Sequence, residues 1–411
     1  MIELAADSRA AFRYPDFRRY LLARLLTTLS SEMQSVAVGW QIYSITHRPL
    51  DLGLAGLAQF LPAVCLFLIT GHVSDRIPRK RILLACAVGF SICSALLLVF
   101  ALHQIAAVYP IYAVLLLNGT VRAFNAPAAQ SFLPLILPRH VFQNGVTWNS
   151  SAFQASTIGG PMLGGILYGI TGGPQYVYGT AMVACVAGAW ALSAVRPTLT
   201  EPRQITDFAE NVLGGLRYIW LNKLVLGAMS LDLFAVLLGG AVALLPVYAR
   251  EILNVGAVGL GFMRSAPGVG ALLTSVIVAH WPLRRNAGWA MLWCVFAFGL
   301  TTVVFGLSRN PALSLGMLLL LGSTDTVSVI VRSTMIQLST PDAMRGRVSA
   351  VNMVFIGASN EVGQFESGIT AQWFGTVPAV VLGGLGTIGI VALWAWLFPE
   401  LRRVDELTKL R

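Results

Sequence analysis

Charge is scarce in this chain. Only 11% of its 411 residues are Asp, Glu, Lys or Arg, against about 25% in an ordinary soluble domain. That shortage excludes a water-covered globular surface. Histidine and cysteine are equally sparse, five of each. His47, His72, His103, His140 and His280 stand singly at the ends of loops or apolar runs, without metal-ligand spacing, so a transition-metal centre is not expected. Cys65, Cys86, Cys93, Cys185 and Cys294 all fall in apolar stretches at no metal or redox spacing and read as small core hydrophobes. There is no Gly-x-x-x-x-Gly-Lys loop, hence no sign of ATP hydrolysis, and no constellation for enzyme catalysis or a bound cofactor. The first residues, Met1 to Arg19, are mixed polar and lack the apolar core of a cleaved signal, so the first apolar run is expected to act as the insertion signal.

What the chain has is apolar length. It is 56% hydrophobic. Leu52 to Ile69 and Ile82 to Leu102 carry no charge, and each is long enough to cross a hydrocarbon layer of roughly 30 Å as a helix. The same reading gives twelve spans, near 20–44, 51–71, 81–102, 107–127, 142–170, 174–195, 224–249, 257–280, 287–308, 311–337, 345–372 and 376–398. Asp51 is expected to cap span two, and Pro127 to end span four.

The net charge of +10 does not point to nucleic acid, because of where the charge lies. Most Lys and Arg fall in alternate loops and at the two termini, and only Arg48, Arg250 and Arg309 fall in the opposite loops. Positive charge marks the cytoplasmic side, which puts both ends in the cytoplasm and suits membrane lipids of negative charge as neighbours. The longest stretch outside the spans is Arg196 to Lys223. Within it Asp207 to Leu221 has helical periodicity, with Phe208, Val212, Leu216 and Ile219 on one side, and is expected to lie on the cytoplasmic face as an interfacial helix. This divides the chain into a first bundle (1–195), a linker (196–223) and a second bundle with a short tail (224–411).

The two bundles repeat. Gly119 and Gly322 are 203 positions apart, and so are Pro138 and Pro341, Asn149 and Asn352, and Gly165 and Gly368. With one more residue of offset, Pro78-Arg79-Lys80-Arg81 meets Pro282-Leu283-Arg284-Arg285. Parallel six-span repeats place a substrate site at the repeat interface near the midplane.

Between spans two and three stands Gly71-His72-Val73-Ser74-Asp75-Arg76-Ile77-Pro78-Arg79-Lys80-Arg81. Gly, an Asp four residues on, then Arg-x-x-Arg-Lys resembles the loop signature of the major facilitator superfamily. The resemblance implies an all-α membrane protein with twelve transmembrane helices in two six-helix pseudo-repeats. It also implies a gating role for Gly71, Asp75, Arg76, Arg79 and Lys80. The family's usual second glycine is here Pro78, which fits the first turn of a helix. Phe17-Arg18-Arg19-Tyr20, Val36 to Tyr43, Leu52-Gly53-Leu54, Phe60-Leu61-Pro62, Arg122 to Pro127 and Arg345-Gly346-Arg347-Val348 resemble the bacterial subgroup that contains the enterobactin exporters. Gly160-Pro161-Met162-Leu163-Gly164-Gly165 resembles part of the antiporter motif, with Ser156 where an upstream Gly is expected. Such a resemblance implies a monomeric exporter of a small molecule, siderophore or drug, from the bacterial inner membrane, exchanging it for protons.

Charges within spans cost roughly 2.5–3.5 kcal/mol on insertion scales and mark function by default. The acids are Glu32, Asp232, Asp325, Glu361 and Glu366, and the bases Arg24, Arg122, Arg264 and Arg332. Glu32, midway along span one, is the first candidate for a proton carrier, with Asp325 and Asp232 assisting. Arg122 and Asp325 share a repeat position and are candidates for a pair or latch. Gln34, Trp40, Arg122, Asn125, Asn149 and Glu361 are candidates to line a substrate cavity, and Trp148, Phe153, Phe355 and Phe365 to stack on an aromatic substrate. Arg24 is expected to snorkel to the cytoplasmic interface. An importer or facilitator, a lipid or lysolipid flippase, and a non-transporting receptor share this composition and stay open on the sequence.

Overall fold

Apolar residues without a helix breaker, in a medium that leaves no backbone group unpaired, fold as helices. The computed structural model of the chain describes residues 8–66, 70, 73, 76–197, 208–281 and 286–405, and among these it contains helices and turns but no strand. The first six spans are α1 (Pro15–Thr46), α2 (Pro49–Cys65), α3 (Arg79–Leu102), α4 (Tyr109–Phe132), α5 (Arg139–Thr171) and α6 (Pro174–Ser193). A 14-residue helix, α7 (Phe208–Leu221), follows. The second six are α8 (Lys223–Leu238) with its continuation to Ile252, α9 (Gly256–His280), α10 (Ala287–Leu307), α11 (Pro311–Ser339), α12 (Asp342–Phe374) and α13 (Thr376–Leu397), closed by the short α14 (Pro399–Arg402). Seven of the described helices have the length and composition to cross a membrane outright. Of the other predicted spans, α2 is apolar but only 17 residues long, and the rest are longer helices diluted by polar side chains.

The repeat is visible in the helices themselves. α5 and α12 have 33 residues each, start after Pro138 and Pro341, and keep the 203-residue offset at both ends. Each proline cannot donate to a helix, so it stands where no N–H is needed.

Four details differ from the sequence expectation. Pro127 lies inside α4, which runs on to Phe132; membrane bundles tolerate such prolines because neighbours and local adjustments satisfy the freed carbonyl. Asp51 is not at the cap position but inside the first turn of α2, behind Pro49, where a carboxylate favours the positive helix end. Span seven breaks after Leu238 at Gly239-Gly240 and continues through a 3-10 turn, Leu245–Val247 and a π turn, Tyr248–Ile252. Irregular backbone at this depth needs protein around it, and Leu244, Leu245, Val247 and Tyr248 are fully buried. Cys65 is exposed, unlike the buried Cys86, Cys93 and Cys185. The second-half basic turn, Pro282 to Arg285, lies outside the described residues.

By contacts the chain forms two units, Met1–Gln41 with Ala58–Thr206, and Ile42–Leu57 with Asp207–Arg411. The first is built on Phe17, Tyr20, Phe132, Leu137, Cys185 and Leu192, with α3 packed on α4 and α6. The second is built on Leu231, Met291, Val331, Met335 and Trp394, with α11 packed on α9 and α10. Ile42 to Leu57, the C-terminal end of α1 and the start of α2, belong to it: the Tyr43 hydroxyl donates to Glu251 at 2.5 Å, and Gly53 lies against the backbone of Gln364 and Phe365. On α7, Ile219 is buried with Val225, Met229 and Ile336, whereas Trp220 and Leu221 are exposed.

Helices this close need glycine where they cross. A Cβ on Gly322 would sit 2.0 Å from the Pro267 carbonyl oxygen, backbone that cannot yield, while one on Gly316 of the same helix meets nothing within 4 Å. Gly322→Ala is expected to cost about 1–3 kcal/mol through overpacking and to lower the unfolding temperature of the purified protein. Gly316→Ala should leave it unchanged or higher. Equal effects of the two would show that the α9–α11 contact does not require glycine.

Candidate functional site

In the first unit the central feature is the seam between α1 and α5. Ser156, Gly160 and Gly164 are spaced by four and so share one helix face. Ser156, the residue standing where the motif would have glycine, is buried and donates to the Leu25 carbonyl of α1 at 3.2 Å. One turn on, a Cβ on Gly160 would lie 2.5 Å from Cβ of Glu32. One turn further, a Cβ on Gly164 would lie 2.7 Å from the Met33 carbonyl oxygen. The small residues let α5 lie against the α1 backbone beside Glu32, and bulk here would displace that carboxyl. Pro161 and Gly165 are buried on the same helix.

Around this seam the remaining candidates have separate surroundings. Gln34 is buried and donates to Ser94 of α3 at 2.8 Å. Trp40 stands edge-on to Tyr168, with ring centres 6.3 Å apart. Arg122 is exposed and donates to Gln59 of α2 at 3.2 Å. Asn125 lines a cleft of about 40 Å³ together with Tyr20, Arg24, Thr27, Thr28 and Phe90. Arg24, expected to snorkel, is half-buried, with its Nε buried and its guanidinium 5.8 Å from the centre of the Phe153 ring. Trp148 is held by the N-terminal segment, donating to the Ser8 carbonyl at 2.8 Å and packing edge-on against Phe12. Asn149 and its repeat mate Asn352 each bury a side-chain oxygen that accepts no hydrogen bond.

In the second unit, Asp232 of α8 and Arg332 of α11 form an ion pair in which both side chains are almost fully buried. Asp325 lies seven residues before Arg332, two turns and hence the same face of α11. It lines one small cavity with Asp232, Ser328, Thr324 and Cys294. Arg332 thus pairs with Asp232, and the second carboxylate, Asp325, lies beside that pair between apolar helices. Elsewhere in this unit Glu361 accepts from Gln364 at 3.1 Å beside Gly56, and Glu366 accepts from Thr370 at 2.7 Å. Among the described residues no group of His, Cys, Asp and Glu has the arrangement of a metal site.

Known proteins agree with this architecture. Residues 6–410 match the family described as transmembrane secretion effector. The chain belongs to that family of the major facilitator superfamily. It is 27% identical over 406 residues to the enterobactin exporter EntS of Shigella boydii, and equally to that of Escherichia coli, covering 96% of this chain and 94% of each relative. In fold it is similar to a peptide transporter POT, with a TM-score of 0.75 at 10% identity over 96% of both chains. It is similar also to a D-xylose-proton symporter, with a TM-score of 0.70 at 13% identity over 98% of this chain and 100% of that one. It is a multi-pass membrane transporter and not an enzyme.

Of the superfamily loop, Gly71 and Asp75 lie outside the described residues, and Arg76 is exposed. Arg79 opens α3. Lys80 donates to the Ser193 carbonyl at 2.8 Å, meeting the negative end of α6. Arg19 does the same at Ala194, 3.0 Å away.

Sequence reasoning named Arg332 only as one of the intramembrane bases, without a partner, and did not consider Glu251 or the Gln41–Tyr178 hydrogen bond (2.6 Å). The signal available for Arg332 was a cation seven residues from Asp325; its partner Asp232 is a hundred positions away and only folding brings it near.

Removing one half of a buried pair strands the other. Arg332→Gln is expected to destabilise the protein by about 3–5 kcal/mol, and adding Asp232→Asn should recover most of the loss. Thermal unfolding of the purified variants reads both, and a double variant no better than the single one would deny the coupling.

Proposed function

We propose that this transporter exports a small amphipathic molecule, a siderophore or a drug, across the bacterial inner membrane in exchange for protons, by alternating access. The observation that carries the reading is the cluster of Asp232, Arg332 and Asp325. One guanidinium balances one carboxylate. With both acids ionised the cluster holds a net negative charge among apolar side chains, which is costly. A proton on Asp325 removes it. The cluster is thus a place where proton binding alters the electrostatic energy of the α8–α11 contact, and a contact whose energy depends on a proton can bias one conformation over another. Glu32 is a second intramembrane carboxyl, set beside Gly160. Its position on the glycine seam ties any change in its charge or partner to the packing of α1 on α5. The names of the relatives, enterobactin exporters, favour export and favour an iron chelator as cargo. Gln34, Arg122, Asn125, Asn149, Trp40 and Glu361 remain the residues proposed to meet substrate, and the proposed setting is a monomer with cytoplasmic termini.

Proton coupling is tested in proteoliposomes with an interior pH dye. Asp325→Asn and Glu32→Gln should each reduce transport driven by a pH gradient at least tenfold while the variants insert and purify normally. Undiminished gradient-driven transport in both would sink the antiport mechanism.

Cargo is tested by untargeted mass spectrometry of culture supernatants in iron-poor medium, comparing the parent strain with a deletion strain. Loss of one secreted chelator, with its accumulation inside the cells, is expected. An unchanged secretome would overturn the siderophore assignment and leave amphipathic drugs as the cargo to assay.

A further inference from the structure

The first unit contains a cation without a counter-charge. Arg24 sits ten residues into α1, roughly 15 Å along the helix. Among the described residues no carboxylate approaches its guanidinium within an ion-pair distance, and its Nε is buried without a hydrogen-bond acceptor. Its neighbours are the ring of Phe153 and the hydroxyl of Tyr20, which itself donates to the Ala129 carbonyl at 3.2 Å. The cleft that it lines has about 40 Å³ and is bordered by Thr27, Thr28 and Asn125, with no acid among the lining residues. By that measure the cleft holds roughly three waters. It is too small for a whole amphiphile and large enough for one acidic group.

A buried donor without an acceptor is costly, and a guanidinium more so than a neutral group. The cation–π contact offsets part of the cost from one side only. We propose that the Arg24 cleft is a site for a single small anionic group, with Arg24 supplying the charge, Asn125 a further donor, and Phe90, which lines the cleft, an apolar ring for the body that carries the group. This rests on the reading of the chain as a transporter of small amphipathic molecules, and narrows it: the molecule that the site accepts has an acidic end next to an aromatic or apolar portion. The same chemistry is met by a free halide, and the two sources are separated below.

The test is equilibrium binding to the purified full-length protein in nanodiscs, without a gradient, so that its outcome does not depend on proton coupling. The probes are 1-naphthoate and its uncharged isostere 1-naphthamide, titrated by calorimetry in gluconate buffer. The wild-type protein should bind the carboxylate at least tenfold more tightly than the amide. Arg24→Gln should abolish that preference and leave the amide affinity unchanged, and Arg24→Lys should restore part of it, which separates lost charge from misfolding. Replacing gluconate by chloride then assigns the source. Competition that disappears in Arg24→Gln means that free halide also fills the cleft, and no competition means that the site takes the acid of the larger molecule alone; both uphold the anion site. Equal wild-type affinity for carboxylate and amide, including no binding of either, or a preference that survives Arg24→Gln, would overturn it.

Discussion

An ionised side chain between membrane helices must find either an opposite charge or a polar neighbour, because lipid and packed apolar side chains supply neither. That requirement accounts for most of the polar architecture here. In the second unit it produces Asp232 against Arg332, with Asp325 as the unbalanced acid beside them. In the first unit Arg24 is met by polar neighbours alone, the Tyr20 hydroxyl and the hydroxyls and amide of its cleft, with no opposite charge among the described residues. The two units thus carry opposite imbalances, an excess of acid in one and of base in the other. The proposed exchange of a proton for an amphipathic molecule would use both: an acid that a proton neutralises, and a cation that cargo neutralises.

Charge alone does not make a moving part. The other requirement is close helix packing with few side chains in the way, and glycine supplies it. Gly160 and Gly164 bring α5 onto the backbone of α1 beside Glu32, and Gly322 brings α11 onto Pro267 of α9. Without glycine, each of these contacts would open by the width of a methyl group or more. Because packed helices shift between discrete arrangements and do not deform smoothly, a change of charge at Glu32 or Asp325 acts on a contact that has little slack. The irregular stretch after Leu238, sheathed in buried side chains, adds a place where span seven can change course without exposing backbone to lipid.

Much of this was legible in the chain itself, and the reasons differ from element to element. Span positions followed from apolar length, since a helix is the way a lone segment satisfies its backbone in lipid. The six-helix repeat followed from landmarks at a constant offset, and α5 and α12 keep that offset at both ends. The small-residue ladder of α5 was visible as spacing, but its partner was not: nothing in Gly160 names Glu32. Pro127 misled because a proline ends a helix in water and is absorbed in a bundle. For Arg24 the depth along its span was readable, whereas its neighbours, the Phe153 ring and the Tyr20 hydroxyl, were not.

The sequence by itself determined the kind of molecule: hydrophobic length without charge leaves only a polytopic helical membrane protein, and the repeat leaves two bundles. Those properties are local or periodic, and each is set by residues near one another in the chain. Only the tertiary structure decided which intramembrane charges are balanced. Asp232 and Arg332 are a hundred positions apart and meet because α8 and α11 pack together, whereas Arg24 and Glu32 share one helix yet face different neighbours. Pairing energy depends on distance and on what lies between, and neither is written in the order of residues.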